Sequence, residues 1–216
     1  MASNSQASTS TQGATLWVDK AIYKLAAHWL LLASLFWGLY AGLPLLAPAL
    51  MNAGLTTPAR IIYIVYRPLC HQLPERSYFL GGEKHAYTAE ELAAGGVEIA
   101  PFSRDIGNET VGYKVAFCQR DVAIYASIFL AGLAYGLIRR RWSEWKMPFR
   151  YYLLFLVPMG IDGILQLFGL HESNWILRTL TGAVFGVGSV LFAYPHLEEG
   201  MRDVRQSIAK RHHLQD

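Results

Sequence analysis

The chain has two cysteines in 216 residues, at positions 70 and 118, and only 16% of its residues are charged. Two thiols exclude a scaffold stapled by several disulfides and any centre built from four cysteines. A formal net charge of +3, scattered along the chain, excludes a nucleic-acid-binding face, which needs clustered lysine and arginine. There is no His-Glu-x-x-His, no nucleophile elbow and no phosphate-binding glycine loop. A basic start followed by a short apolar core is missing too, so no cleaved signal peptide is expected. No internal repeat is present.

What the chain has in quantity is apolar sequence. Hydrophobic residues make up 53%, and the mean hydropathy is +0.22. Several stretches reach roughly 18 apolar residues or more, the length of a membrane span rather than of a soluble core helix. Four spans are expected, at about Ile22 to Leu43, Val122 to Ile138, Tyr151 to Leu170 and Leu177 to Tyr194. Pro44 and Pro48 should bend or end the first. The expected fold is therefore an all-α integral membrane bundle of four spans with a long extracytoplasmic loop. Residues 1–20 form a disordered cytoplasmic lead-in, 21–195 the membrane domain with its loop at 51–120, and 196–216 a cytoplasmic tail.

Orientation follows from the distribution of basic residues. The link after the second span holds Arg139, Arg140, Arg141, Lys146 and Arg150, and the tail holds Arg202, Arg205, Lys210 and Arg211. Both should be cytoplasmic, as should both termini, in the plasma membrane. Segment Ile61 to Tyr66 is too short to cross and reads as an interfacial or re-entrant piece leading to Cys70. Within the outer loop, Thr88-Ala89-Glu90-Glu91 has capping-box form and predicts a helix through Ala94, stopped by Gly95-Gly96. The rest of Gly81 to Gly112 reads as a solvated insertion. The Gly182-x-x-x-Gly186 pair on the fourth span offers a face for close helix approach, within the chain or in a homo-oligomer.

Asp162 lies inside an apolar run, where an ionised group costs several kcal/mol unless it faces a partner or a wet cavity. Gln166 is one helical turn further on the same face. This topology brings Cys70-His71, Cys118-Gln119-Arg120-Asp121, Gln166, His171 to Asn174 and Arg178 to one membrane surface. Thiolate, imidazole and carboxylate suit zinc or another divalent transition metal, with Cys70, His71, Cys118 and Asp121 as four candidate ligands. A disulfide between the two cysteines, or a pair of reactive thiols, fits the same residues. Arg76, Arg120 and Arg178 are candidate receptors for a lipid or anionic small molecule, because arginine makes forked bonds to phosphate oxygens. Each equally suits an ion pair or a lipid headgroup.

The runs Cys70-His71-Gln72-Leu73-Pro74-Glu75-Arg76-Ser77 and Cys118-Gln119-Arg120-Asp121-Val122-Ala123-Ile124-Tyr125 together resemble the bacterial and archaeal membrane family called domain of unknown function 2085. Pro158-Met159-Gly160-Ile161-Asp162-Gly163 with Gln166, Ser173-Asn174, Arg178, Thr181 and Gly182 extend the resemblance. It implies a small polytopic membrane protein and a site, but no reaction. The family often has Cys-x-Arg-Cys where this chain has Cys118-Gln119-Arg120-Asp121, and aspartate keeps a metal ligand there. The leading expectation is an outer-face enzyme, metal- or thiol-dependent, acting on a lipid or amphipathic substrate. Cys70, His71, Cys118 and Asp121 would hold the metal, and Asp162, Gln166, Arg120 and Arg178 would be the catalytic group. The alternative is a transporter, an ion-binding protein or an accessory subunit with a disulfide-braced outer loop.

Overall fold

The computed structural model describes residues 16–100, 103–142, 145–170 and 172–212. Residues 1–15, His171 and Ser143 lie outside it. Residues 16–27 form a helix, α1, so the last part of the expected lead-in is helical. The helices that follow are α2 Trp29–Asn52 and α3 Thr56–Tyr66, and a 3-10 turn at Pro74–Arg76 leads into strand β1, Ser77–Gly81. After these come α4 Ala89–Ala94, β2 Gly107–Asn108, β3 Gly112–Cys118, α5 Gln119–Trp142, α6 Phe149–Leu167 and α7 Trp175–His212.

Three helices, α2, α5 and α7, are long and apolar enough to cross a membrane. α6 is not among them. It has 19 residues, and these include Arg150, Asp162 and Gln166. α7 packs along both α5 and α6, and α5 packs on α2. The α5–α7 seam is close because Gly182 and Gly186 face α5. A Cβ on Gly186 would lie 2.1 Å from Ser127 Oγ and 2.6 Å from the Ile124 carbonyl oxygen. The small-residue face expected to serve either the chain or an oligomer is thus occupied within the chain.

α2 does not stop at its prolines but runs through Pro44 and Pro48 to Asn52. Proline at 44 has no N–H to give the carbonyl four residues earlier. That carbonyl, on Tyr40, accepts instead from the Tyr66 hydroxyl of α3 at 3.1 Å. A neighbouring helix re-satisfies the freed group, which is how membrane helices tolerate proline.

The fold is not wholly helical. β1, β3 and β2 form an antiparallel sheet in that order, with Ser77 opposite Cys118 and Gly81 opposite Gly112. Two stretches separated by 30 intervening residues close the ladder, a pairing that local periodicity does not reveal. Gly112 has φ +81 and its Cβ would meet the Gly82 nitrogen at 2.5 Å, so only glycine fits the closing turn. The insertion that leaves from this pair is not simply solvated. Phe79, Leu92, Val97 and Val111 form a core of their own, packed by Tyr87 and Ile99. α4 sits over it with a reciprocal cap: Glu91 N donates to Thr88 Oγ1 at 3.3 Å, and Thr88 N donates to Glu91 Oε2 at 3.0 Å.

The sheet covers the end of the bundle where α2 finishes and α5 and α7 begin. An aromatic group of Tyr40, Tyr66, Phe117 and Tyr125 joins it to the helices. The Tyr78 hydroxyl of β1 hydrogen-bonds Thr179 of α7. At the opposite end, Trp29 Nε1 donates to Glu198 at 3.0 Å, and Arg139 pairs with Glu198 at 3.5 Å. Asp19 of α1 meets Arg211 at 3.0 Å and His212 at 2.6 Å. α7 therefore continues as one helix into the stretch expected to be a separate tail.

Candidate functional site

Cys70 comes four residues after the end of α3, and its N–H still bonds the Tyr66 carbonyl at 3.1 Å. The chain then reverses at Gln72, which has φ +53 and is buried. Non-glycine residues seldom adopt this left-handed conformation, so something must hold it. Gln72 Nε2 donates to the Tyr63 carbonyl at 3.1 Å, and the Gln72 carbonyl accepts from Lys114 Nζ at 2.6 Å. Tyr63 in turn donates to the Lys114 carbonyl at 2.5 Å. α3, the reversal and β3 are thereby tied together, and Cys70 is presented to the end of β3.

Cys118 is the last residue of β3, and α5 starts beside it, so Arg120 and Asp121 occupy the helix's first turn. Cys118 N–H donates to Cys70 Sγ at 3.3 Å, and Asp121 N–H donates to Cys118 Sγ at 3.5 Å. Both cysteines are free thiols, with their sulfurs 3.9 Å apart. One donor atom from each of Cys70, Cys118 and Asp121 lies within 4.8 Å of the others. Two thiolates on a tetrahedral zinc with bonds of ~2.3 Å have sulfurs ~3.8 Å apart, so the pair is already at coordination spacing. His71 lines the same cavity without joining this donor group.

The Cys118 thiol donates to Cys70 and holds the Cys70 thiol below its ordinary range. The same shared proton pushes Cys118 up, with burial adding to the rise. Cys70 is thus the first of the two to become a thiolate, the form that binds metal and attacks electrophiles. Lys114, buried behind the reversal, is lowered to about 8 by loss of water around its ammonium.

A cavity of about 330 Å³ opens beside the thiols, lined by Cys70, His71, Cys118, Arg120, Asp121 and Gln166, with Gln72, Arg76 and Arg178 completing its polar wall. Three guanidinium groups reach it from three elements. Arg120 donates to the Asp162 carboxylate, whose other oxygen has no partner among the described residues. Gln166, with its carboxamide oxygen toward Arg76, accepts from both terminal nitrogens at 3.1 and 3.3 Å. Arg178 is only 9% exposed and donates to the neutral Gln119 side chain at 3.2 Å. Gln119 is held by donating to the Ser77 carbonyl at 3.0 Å. Asn174 caps the first turn of α7 through Leu177 N–H at 2.9 Å, which fixes where Arg178 emerges.

The structure therefore brings Cys70, His71, Cys118, Arg120, Asp121, Gln166 and Arg178 to one cavity, with Asp162 attached through Arg120. A family model described as "Predicted membrane protein (DUF2085)" matches residues 110–192. An uncharacterised protein of Methanocaldococcus jannaschii is 30% identical over 135 residues, covering 62% of this chain and 67% of that protein. The chain belongs to this family. An uncharacterised protein of Methanothermobacter thermautotrophicus is 35% identical over 77 residues, 36% of this chain and 68% of its own length. No solved structure matches. The family match takes in β3 and most of the bundle, with Cys118, Arg120, Asp121, Asp162, Gln166 and Arg178. Cys70, His71 and Arg76 lie outside that match and reach the cavity through α3 and the β1–β3 pairing.

The sequence pattern did not single out Lys114, Gln72 or Gln119, which hold the walls in place. Lys114 carries one usable signal. Once 112–118 is taken as a strand, its period of two sets Lys114 on the same face as Cys118. Gln72 and Gln119 belong to the runs that carry the family resemblance, but no sequence feature assigned either a role.

Proposed function

We propose that this is a four-span membrane protein whose sheet-covered end faces outward. On this reading it binds a divalent transition metal, zinc by ligand type, at Cys70, Cys118 and Asp121. It uses this site on the anionic head of a lipid or another amphipathic substrate. The observation that carries the reading is Arg178: a buried cation on the cavity wall whose hydrogen-bond partner is an uncharged amide. A buried charge hydrogen-bonded only to a neutral group is costly, and an anionic ligand in the cavity would supply a counter-ion in direct contact. Three protein donors leave a fourth metal position open, as in catalytic rather than structural zinc sites.

α6 completes the set of spans in this reading, since Asp162 and Gln166, which deplete its hydropathy, are paired inward with Arg120 and Arg76. Arg139, Lys146, Arg202, Arg205, Lys210 and Arg211 all belong to the end opposite the cavity, which supports cytoplasmic termini. The metal would supply Lewis-acid polarisation. Arg178 and Arg76 hold the anion, Asp162 fixes the Arg120 guanidinium, and Gln166 orients Arg76.

The test is cadmium titration of the purified, reduced full chain, followed by the thiolate-to-metal absorption band and by elemental analysis. One metal per chain is expected. Cys70→Ser and Cys118→Ser should each lose the band, while Asp121→Cys should keep the metal and strengthen the band. A chain that takes up no metal when reduced, and is isolated two daltons lighter than its reduced form, would overturn the metal centre in favour of a disulfide brace.

A further inference from the structure

A second cavity, of about 430 Å³, lies away from the thiols and is lined by Arg60, Tyr63, Ile64, Arg67, Arg104, Asp105 and Ile106. Arg60 lies on α3 and Arg67, seven residues on, caps its C-terminal end, while Arg104 comes from the loop before β2. All three are exposed, and none forms an ion pair with a described residue. Asp105 is the one acid among the described lining residues. Its carboxylate accepts from Glu98 N–H at 2.9 Å and Gly107 N–H at 2.8 Å. Among the described residues lining it, three cations thus face one carboxylate, which is turned toward backbone N–H groups and leaves an excess of positive charge.

α3 itself has two apolar faces. Ala59, Tyr63 and Tyr66 are buried against the bundle. On the opposite side Ile61, Ile64 and Val65 are 56%, 62% and 58% exposed. At 100° per residue these three form one stripe, and Arg60 and Arg67 border its edge. Leu45 and Leu46, near the end of α2, a helix long and apolar enough to cross a membrane, are exposed too. A short helix with an apolar outer face and basic residues along one border has the composition of an interfacial membrane helix.

We infer that α3 lies in the membrane interface and that Arg60, Arg67 and Arg104 bind the phosphate headgroup of an anionic phospholipid, whose chains run beside Ile61, Ile64 and Val65. Arginine stems pass along the apolar stripe while the guanidiniums stay at phosphate depth. Forked N–H groups match phosphate oxygens. The site is separate from the thiol cavity and independent of its metal or substrate.

The full chain is placed in nanodiscs of phosphatidylcholine with a minor fraction of phosphatidylglycerol, and the phosphatidylglycerol that remains on detergent extraction is counted by native mass spectrometry. Wild type should keep this lipid selectively. The double variant Arg60→Gln, Arg67→Gln should lower its retention by roughly tenfold or more, from ~1 kcal/mol per basic residue at an anionic surface. Arg178→Gln, in the other cavity, should leave the Arg60–Arg67 dependence intact. A nitroxide at Ile64→Cys, with Cys70 and Cys118 changed to serine, reads the depth. Oxygen should relax it and an aqueous nickel chelate should not. Unchanged lipid retention in the double variant, displacement of the lipid by inorganic phosphate alone, or free access of the nickel chelate to position 64 would each overturn the inference.

Discussion

Asp162, in the second half of α6, accepts from Arg120 in the first turn of α5, and its second carboxylate oxygen is buried without a partner among the described residues. This pair joins a helix that carries no thiol to the helix that carries Asp121, so the cavity's electrostatics and the bundle's packing share one contact. Removing one member of a buried pair strands the other charge and typically costs ~3–5 kcal/mol. Asp162→Ala should therefore lower the unfolding midpoint in detergent substantially. Asp162→Asn, which keeps an acceptor, should lower it less. The double change Arg120→Met, Asp162→Leu should recover most of the loss. Equal losses in the single and double variants would show that the pair contributes through packing alone.

Lys114 gives a pH dependence with a definite sign. Its amine is lowered from 10.5 to about 8 in the fold, so between those values the unfolded chain binds more protons than the native one. Stability must then rise with pH across that window and carry the full penalty of a buried ammonium below it. The thiols titrate nearby, so the useful quantity is the difference between wild type and Lys114→Met. Denaturant unfolding from pH 7.5 to 10.5 should show wild type gaining up to ~3 kcal/mol on the variant. A difference independent of pH would place the Lys114 amine in water.

Gly186→Ala should destabilise the monomer by ~1–3 kcal/mol through overpacking against α5, because the added methyl would overlap Ser127 Oγ and the Ile124 carbonyl. Thermal melts and size-exclusion chromatography in one detergent separate the outcomes. A lower melting point at unchanged size is expected. A change in oligomeric state at unchanged melting point would instead assign the Gly182–Gly186 face to a contact between chains.

The proposed orientation makes opposite predictions for two exposed positions. With Cys70 and Cys118 replaced by serine, Glu109→Cys should react with a membrane-impermeant maleimide in intact cells, and Asp203→Cys only after lysis. The reverse pattern would turn the protein over in the membrane and put the thiol cavity on the cytoplasmic side.

Elements that depend on near neighbours were readable in the chain. The α4 cap needed only Thr88 and Glu91, and the apolar runs that became α2, α5 and α7 are properties of composition. Asp162 stood out because a carboxylate inside an apolar run has few tolerable environments, whatever the fold. The thiol and arginine groups were expected together, and the fold brings them to one cavity.

Tertiary structure alone decided what those groups do to each other. Gln72 can hold φ +53 only because Tyr63 and Lys114 grip it from α3 and β3, and this reversal places Cys70 against Cys118. The β1–β3 ladder spans an insertion whose length conceals the pairing, so no local period announces it. Pro44 reads as a bend or an end of the helix, and the structure carries α2 through it because Tyr66 supplies the hydrogen bond that the proline ring withholds. Arg120 and Arg178 have the same side chain, yet one pairs with Asp162 and the other, among the described residues, hydrogen-bonds the neutral Gln119 amide on the cavity wall. Chemistry at a single residue is set by its side chain, whereas pairing, burial and counter-charge come from residues distant in sequence. Those were fixed only when the chain closed on itself.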